Sequence, residues 1–311
     1  MLNIVYRSPV ISGLAAFFLG LCSVPAYSSF AGGAVSFFFS LFSIALFALF
    51  YLLLLKANTG RRAFLTGFAY GLGLFLGGVS WVYVSLADFA AMPVPLAMLL
   101  TLLFSAYLAL FPALFALLFH RLTRSSPASS VTPWVFAGCF TLAELLRGFL
   151  LTGFPWLALG YSQTPGISPL AAYAGIFGVY GVGFFTALAA AWLSGVRRKK
   201  WTPLFACLCL WMGGLTLAGI EWTSPDDAPV SVTLIQGNVP QSLKWQPEQL
   251  IETLRLYHEL ILGNPAQLVI LPETALPVFL DRLPPDYLET LQNALKEVDG
   301  DLLMGVPTRD S

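Results

Sequence analysis

Acidic side chains are almost missing from the first two thirds of the sequence. The chain has 311 residues and 16 Asp and Glu, yet only Asp88 and Glu144 precede residue 221. Hydrophobic residues make up 57% of the chain and charged residues only 10%, against the quarter or so that is usual in soluble domains. This composition predicts a polytopic membrane part, followed by a soluble part of ordinary composition.

Cysteine and histidine are scarce as well. All four cysteines lie in apolar segments, and none follows residue 209, so no disulfide framework is predicted. The two histidines, His120 and His258, fall in different parts of the chain, which argues against a metal site, and we expect no cofactor. The net charge is zero. Without a basic patch outside the short membrane loops, a nucleic-acid partner is not expected.

Seven apolar runs are long enough to cross a bilayer, which takes about 20 residues of helix. They lie near residues 9–30, 34–55, 63–87, 94–119, 131–151, 168–195 and 202–220. Basic residues precede the first run and follow every even-numbered run, and the odd loops carry acidic residues or none. The positive-inside rule therefore predicts a cytoplasmic N-terminus and an external soluble part. For a multi-pass protein of the bacterial inner membrane, outside means the periplasm. The basic residues are Arg7, Lys56, Arg61, Arg62, Arg121, Arg124, Arg197, Arg198, Lys199 and Lys200.

Small residues and one charged pair stand out within these runs. Glycines recur in the third run, at 67, 71, 73 and 77, and in the sixth, at 175, 178, 181 and 183, which predicts close helix packing. Glu144 and Arg147 are spaced i, i+3 on one helical face, and an isolated charge in hydrocarbon is costly, so we expect them to pair. Arg147 lies near the outer end of its helix, and its side chain is expected to reach the interface.

The loop between the fifth and sixth runs, residues 152–163, is aromatic and contains backbone breakers, yet carries no charge. This composition predicts a re-entrant or interfacial segment with Trp156 and Tyr161 at headgroup level. Two interpretations remain open: an aromatic belt, or the mouth of a lipid-binding site.

After residue 228 the pattern changes to alternating strands and helices. Strands are predicted at 230–236, 268–271 and 302–306, with amphipathic helices starting near Glu248 and Asp286. The order β-α-β-α-β predicts parallel strands in an α/β sheet. Glu273 follows the central strand directly, at the sheet edge where catalytic loops gather, and would suit a general base. A solvated or helix-capping glutamate is the alternative.

Several motifs resemble those of the apolipoprotein N-acyltransferases, bacterial inner-membrane enzymes with a periplasmic domain of the nitrilase superfamily. They are Gly153-Phe154-Pro155-Trp156, Gly160-Tyr161-Ser162-Gln163, Gln236-Gly237-Asn238-Val239-Pro240-Gln241-Ser242, Lys244-Trp245 and Leu271-Pro272-Glu273-Thr274-Ala275. The resemblance implies a polytopic α-helical membrane domain, residues 1–222 with about seven transmembrane helices. It also implies that residues 228–311 form the N-terminal part of an α/β nitrilase-like (α-β-β-α sandwich) domain.

The resemblance further implies a Glu-Lys-Cys triad. Its cysteine takes an acyl chain from a phospholipid as a thioester, and passes it to the N-terminal amine of the diacylglyceryl-cysteine of an apolipoprotein. Glu273 matches the glutamate, while Trp156, Trp245 and Tyr161 are candidates for contacts with the lipid substrate. The lysine and cysteine have no counterpart here, because no cysteine follows residue 209 and the last lysine, Lys296, lies on a predicted helix.

We therefore expect residues 228–311 to be the first part of a larger catalytic domain, and we expect that the chain alone does not complete the reaction. The alternatives are a membrane transporter or scaffold with a soluble appendage, an inactive fragment, or a nitrilase-type amidase that hydrolyses a soluble amide. Transport is disfavoured because the apolar runs offer so few ionisable groups.

Overall fold

The structure, a computed structural model, describes residues 8–28, 33–127, 129–164, 168–195, 201–225, 228–241 and 243–309. The chain divides into two compact units, Met1–Trp222 and Thr223–Ser311. Several residues that entered the topology prediction lie outside the described residues. These are Arg7, residues 197–200, Asp226 and Asp227.

In its described residues, the first unit consists of helices that are joined by loops. Its α-helices are α1 Pro9–Ser23, α2 Gly33–Leu55, α3 Gly60–Gly78, α4 Trp81–Val84, α5 Val94–Thr123, α6 Thr132–Phe149, α7 Ala174–Gly195 and α8 Thr202–Ala218. A π-helical turn, Ser85–Phe89, follows α4. Short 3₁₀ helices lie at Val24–Tyr27, Leu150–Thr152, Leu159–Gln163 and Pro169–Tyr173.

By length and composition, five helical stretches among the described residues could cross a membrane. They are Pro9–Tyr27, Gly33–Leu55, Val94–Thr123, Thr132–Thr152 and Pro169–Gly195. The third predicted run is not straight: Gly60–Gly78 and Trp81–Phe89 meet at 50° and would make a sixth span together. The seventh run forms the shorter apolar helix Thr202–Ala218, of 17 residues.

Helix α3 lies between α1 and α5, and its glycines make this possible. A Cβ added at Gly71 would lie 2.9 Å from the Cα of Ala109 in α5, and one added at Gly73 would collide with the carbonyl of Phe17 in α1. The prediction of close packing by these glycines is confirmed.

The same prediction for the glycines of α7 is only partly correct. Gly183 faces α6, where an added Cβ would lie 3.2 Å from a carboxylate oxygen of Glu144. Gly178 instead breaks the helix, with φ 63° and ψ −173°, and has open space around it. Glycine is favoured at this position because the backbone has a positive φ, and not because a neighbouring helix packs against it. The spacing of glycines in the sequence does not distinguish these two reasons.

The second unit is an α/β layer with three parallel strands. The strands are β1 Val232–Leu234, β2 Leu268–Ile270 and β3 Asp301–Leu303, and the helices are α9 Pro247–Gly263, α10 Pro285–Lys296 and the 3₁₀ helix Leu280–Arg282. The order is β1-β2-β3, with Val232 opposite Leu268 and Leu268 opposite Asp301. The predicted β-α-β-α-β order and parallel pairing are confirmed, although the strands are shorter than predicted.

The two helices of this unit cover one apolar core. Leu254, Tyr257 and Ile261 of α9 are buried together with Leu291 and Leu295 of α10, as their helical spacing predicts.

A polar link also joins α9 and α10. The Tyr287 hydroxyl donates to the carbonyl of Leu254 at 2.9 Å. Burial raises the pKa of Tyr287 to about 12.

Candidate functional site

In the first unit, the predicted pair Glu144 and Arg147 lies at the centre of the candidate site. A carboxylate oxygen of Glu144 is 3.6 Å from the Arg147 guanidinium, so the predicted pairing is confirmed. The two residues are only 5% and 3% exposed. The expectation that Arg147 reaches the membrane interface is therefore wrong, because its side chain is enclosed by protein and satisfied there.

Arg147 binds the loop that follows its own helix. Its Nη1 donates to the carbonyls of Phe154 and Trp156 at 2.5 and 2.6 Å, and its guanidinium lies 5.3 Å from the centre of the Phe75 ring. Glu144 Oε1 accepts a hydrogen bond from the backbone N–H of Leu159 at 2.8 Å. One buried ion pair thus satisfies three backbone groups of the loop, which otherwise would be costly to bury.

The loop returns into the helical unit through left-handed backbone conformations. Leu151, Thr152 and Leu157 have φ values of 51°, 75° and 56°, and Gly153 has φ 77°. Such values are strained for residues with a Cβ and persist only where the surroundings enforce them. The contacts with Glu144 and Arg147 supply that enforcement. We call residues 152–163 the re-entrant loop, because the backbone turns back into the helical unit. A re-entrant or interfacial position in the bilayer stays a prediction.

Trp156 and Tyr161 are the exposed aromatic residues of this loop, at 49% and 47% exposure. The indole N–H of Trp156 donates to the carbonyl of Gly78 at 3.0 Å, where α3 ends and that carbonyl has lost its helical partner. Its ring also lies 5.8 Å from that of Trp81 in an edge-to-face arrangement. The orientation of Trp156 is therefore fixed while half of its surface stays accessible.

A buried polar network anchors the far end of the loop. The Gln163 side-chain amide donates to the carbonyl of Ser40 at 3.3 Å, to the Ser43 hydroxyl at 3.1 Å and to the Ser162 hydroxyl at 3.0 Å. The Ser168 hydroxyl donates to Gln163 Oε1 at 2.8 Å. This network was not predicted from the sequence. Its signal was the row of serines at positions 36, 40 and 43 of α2, on one helical face within an apolar run.

In the second unit, Glu273 lies just beyond the carboxyl end of β2, as predicted. Its side chain is exposed. The Lys244 ammonium donates to the Glu273 backbone carbonyl at 3.3 Å, and among the described residues no ion pair involves the Glu273 carboxylate. The carboxylate is thus available to a reactant.

The backbone around Glu273 is closely packed. Thr274 has φ 50°, and a Cβ added at Gly305, after β3, would lie 2.6 Å from the Thr274 nitrogen and 3.3 Å from the Glu273 Cα. The loops after β2 and β3 therefore meet at the carboxyl edge of the sheet. Only a residue without a side chain permits this approach.

The loop after β1 reaches the same edge. Asn238 has φ 49°, and the backbone of Gly237 lies against the Tyr257 ring, where an added Cβ would be 2.7 Å from the ring carbon Cζ. Trp245, farther along this loop, is 59% exposed. Glu273 and Trp245 thus belong to the second unit, and Trp156 and Tyr161 to the first.

Comparison with known proteins identifies the family. The sequence profile of the apolipoprotein N-acyltransferase N-terminal domain matches residues 26–192, which include the Glu144–Arg147 pair and the re-entrant loop. The chain belongs to the apolipoprotein N-acyltransferase family.

Curated relatives agree with this assignment. Apolipoprotein N-acyltransferase of Nitrosomonas europaea is 42% identical over 300 residues, 96% of this chain and 58% of the relative. Those of Chromobacterium violaceum and Azotobacter vinelandii are 41% and 42% identical, and each match covers 87% of this chain and 54% of the relative. The chain spans about half the length of the curated relatives it matches.

The apolipoprotein N-acyltransferase assignment agrees with the architecture. The chain is a multi-pass membrane protein, and the predicted fold class, a polytopic helical part followed by nitrilase-like α/β structure, is confirmed. The individual roles predicted for Glu273, Trp156, Tyr161 and Trp245 remain predictions.

Proposed function

We propose that this chain takes part in lipoprotein maturation, as part of an enzyme that moves an acyl chain from a membrane phospholipid to the N-terminal amine of a diacylated apolipoprotein. The observation that carries the proposal is the family match combined with one exposed glutamate at the carboxyl edge of a parallel sheet. That edge is where α/β folds gather reacting groups.

In this proposal Glu273 is the general base of a Glu-Lys-Cys triad. The carboxylate takes the proton of the cysteine thiol, and the thiolate attacks the ester carbonyl of the phospholipid. The ester bond breaks, the lysophospholipid leaves with a proton, and a thioester remains. The amine of the apolipoprotein then attacks the thioester, and the Glu273 carboxylate accepts the proton that the amine loses, while the thiol re-forms.

The aromatic residues would contact the lipid substrates. Trp156, Tyr161 and Trp245 are all about half exposed, and amphipathic rings of this kind suit the membrane–water interface. The hydrogen bond from the Trp156 indole to the Gly78 carbonyl holds the Trp156 ring in one orientation. This supports a fixed surface for lipid contact in preference to an interfacial aromatic belt without a binding role.

The residues from 228 to 311 contain no cysteine, so the test uses a longer polypeptide that contains residues 1–311 together with the lysine and cysteine of the triad. Glu273→Gln keeps the shape of the side chain but cannot accept the proton. Acyl transfer to a diacylated lipopeptide should fall by about 10²–10⁴. Glu297→Gln, on an exposed residue after α10, is the matched control and should transfer normally. Full turnover in Glu273→Gln would refute the base role.

A further inference from the structure

Three adjoining cavities lie in succession along α2 in the helical unit, from Leu41 to the loop that follows Leu55. The proposed acyl transfer uses none of them. The largest, which we call the groove, has a volume of 880 Å³ and lies between α2, α7 and α8. Its walls are apolar along most of their length, and this volume is within the range of cavities that bind small organic ligands. Representative wall residues are Leu41, Ala48, Leu193, Leu208 and Trp211.

The second cavity continues the groove and is more polar. It has a volume of 440 Å³ and shares Leu52 and Ser194 with the groove. Two tryptophans and several hydroxyl groups line it, including Trp134, Trp192, Ser130 and Thr202. Tryptophan with hydroxyl groups is the composition found where a protein meets the glycerol and ester region of a bilayer.

The third cavity has charged walls, so the walls of the three cavities change in order from apolar to polar to charged. It has a volume of 370 Å³, shares Leu55 and Pro127 with the second cavity, and is lined by Arg124 and His120. Arg121, at the same end of α5, is exposed. In the whole sequence up to residue 220 the only acidic residues are Asp88 and Glu144. Glu144 lies 12 residues after the start of α6, about 18 Å along that helix, so it cannot neutralise Arg124.

We propose that these three cavities bind one anionic phospholipid of the surrounding bilayer as a non-substrate ligand. An acyl chain fills the groove, the ester region lies beside Trp134 and Trp192, and the phosphate group lies near Arg124. The gradient from apolar to aromatic to cationic walls matches the chemistry of such a lipid from tail to head. A basic end without acidic residues favours a net negative headgroup.

This site is separate from the candidate acyl-transfer residues. Ser43 of α2 bonds to Ser162 of the re-entrant loop, and the second cavity begins near Leu52 and extends to Leu55 of the same helix. Leu55 is 12 residues beyond Ser43 on α2, about 18 Å along the helix. The bound lipid therefore has its headgroup at the opposite end of the helices from Trp156, and the proposal does not depend on the proposed function.

Native mass spectrometry of the purified, delipidated protein tests this site. The protein is offered phosphatidylglycerol and phosphatidylcholine with identical acyl chains in equal amounts. We expect the wild-type protein to retain phosphatidylglycerol at least fivefold over phosphatidylcholine, the preference that one basic group near a headgroup provides. Equal retention of the two lipids by the wild-type protein would overturn the proposal, and this comparison needs no variant.

Three variants locate the bound lipid. Arg124→Gln should reduce the preference about fivefold while total lipid stays unchanged. Ala48→Phe fills the groove and should reduce the binding of both lipids. Leu215→Phe, on the lipid-facing side of α8 outside the groove, is its control and should bind as the wild type does. Loss of lipid in Leu215→Phe equal to that in Ala48→Phe would also overturn the proposal.

Discussion

Arg147 donates a hydrogen bond at 2.6 Å to the carbonyl oxygen of Trp156, nine residues farther along the chain. The bond is made inside the helical unit, and the same guanidinium pairs with Glu144. A charged pair within apolar helices is expensive unless its remaining hydrogen-bonding groups are satisfied. Here the backbone of the re-entrant loop satisfies them, so the pair and the loop stabilise each other.

The first prediction concerns this dependence. Arg147→Met removes the partner of a buried carboxylate and should cost about 3–5 kcal/mol of stability. Adding Glu144→Gln removes the uncompensated charge, so the double variant should recover part of the loss. Thermal unfolding in detergent, followed by circular dichroism, measures both.

The exposed pair Arg255–Glu259, at 2.8 Å in the second unit, provides the control. Arg255→Met should leave the unfolding temperature unchanged, because exposed pairs contribute little. If the double variant were as unstable as Arg147→Met, the loss would come from the packing and the loop hydrogen bonds of Arg147 and not from the unpaired charge.

The second prediction concerns the glycines of α3. Gly73→Ala would place a Cβ against the Phe17 carbonyl and force α1 away, so it should lower the unfolding temperature. Gly138→Ala, within α6, has no atom within 4 Å of the added Cβ. It should be neutral or stabilising by up to about 1 kcal/mol, because alanine is the better helix former. Equal effects of the two substitutions would contradict the packing role.

The sequence predicted those features that follow from a local pattern. Long apolar runs predicted the helices of the first unit, and an alternating segment and two short apolar segments predicted the three strands. The i, i+3 spacing placed Glu144 beside Arg147. The direction of Arg147 could not be predicted in this way. It depends on the path of the loop at 154–159, and this path requires left-handed backbone conformations at residues such as Leu151. A leucine does not indicate such a conformation in the sequence, as a glycine or an asparagine would.

The bend after Gly78 escaped prediction for a similar reason. The third apolar run continues without a charged residue through the break between Gly78 and Trp81, so the sequence pattern predicts a single helix. The bend leaves the Gly78 carbonyl to be satisfied by Trp156, a residue 78 positions away. Contacts this distant are fixed by the tertiary fold, which a local pattern does not contain.

The third prediction concerns pH. Burial raises the pKa of Tyr287 to about 12, whereas an exposed tyrosine titrates near 10. The folded state thus binds this proton more tightly than the unfolded state does. The stabilisation is fully present below about pH 10 and is lost as the pH rises toward 12.

Tyr287→Phe removes the titrating group together with its bond to Leu254. The stability difference between wild type and this variant should be constant below pH 10 and should change, to the disadvantage of the wild type, above it. Unfolding temperatures between pH 8 and pH 11.5 measure this difference. A difference that is independent of pH would exclude ionisation of Tyr287 as its cause.

The fourth prediction concerns topology. In a variant whose four cysteines are replaced by alanine, Asp226→Cys should react with an impermeant maleimide on intact cells, because the positive-inside rule predicts that this position lies in the periplasm. Lys199→Cys should react only after the cells are permeabilised. The reverse pattern would reverse the orientation proposed for the second unit.

The last prediction connects the packing of the second unit to the proposed chemistry. Gly305→Ala would place a Cβ 2.6 Å from the Thr274 nitrogen and 3.3 Å from the Glu273 Cα. Since both are backbone atoms, the loop that carries Glu273 must move, and a shift of about 1 Å can cost 10²-fold in rate. In the longer polypeptide that contains the complete triad, Gly305→Ala should therefore lose acyl transfer while its far-ultraviolet circular dichroism stays unchanged.

Gly263→Ala is the matched control for this substitution. Gly263 ends α9, and an added Cβ there has no atom within 4 Å, so transfer should be normal. If Gly305→Ala lowers the rate because Glu273 is displaced, combining it with Glu273→Gln should cost little more than Glu273→Gln alone, since residues that act through one group are not additive. Full additivity of the two substitutions would separate the Gly305 effect from Glu273 and count against Glu273 as the base.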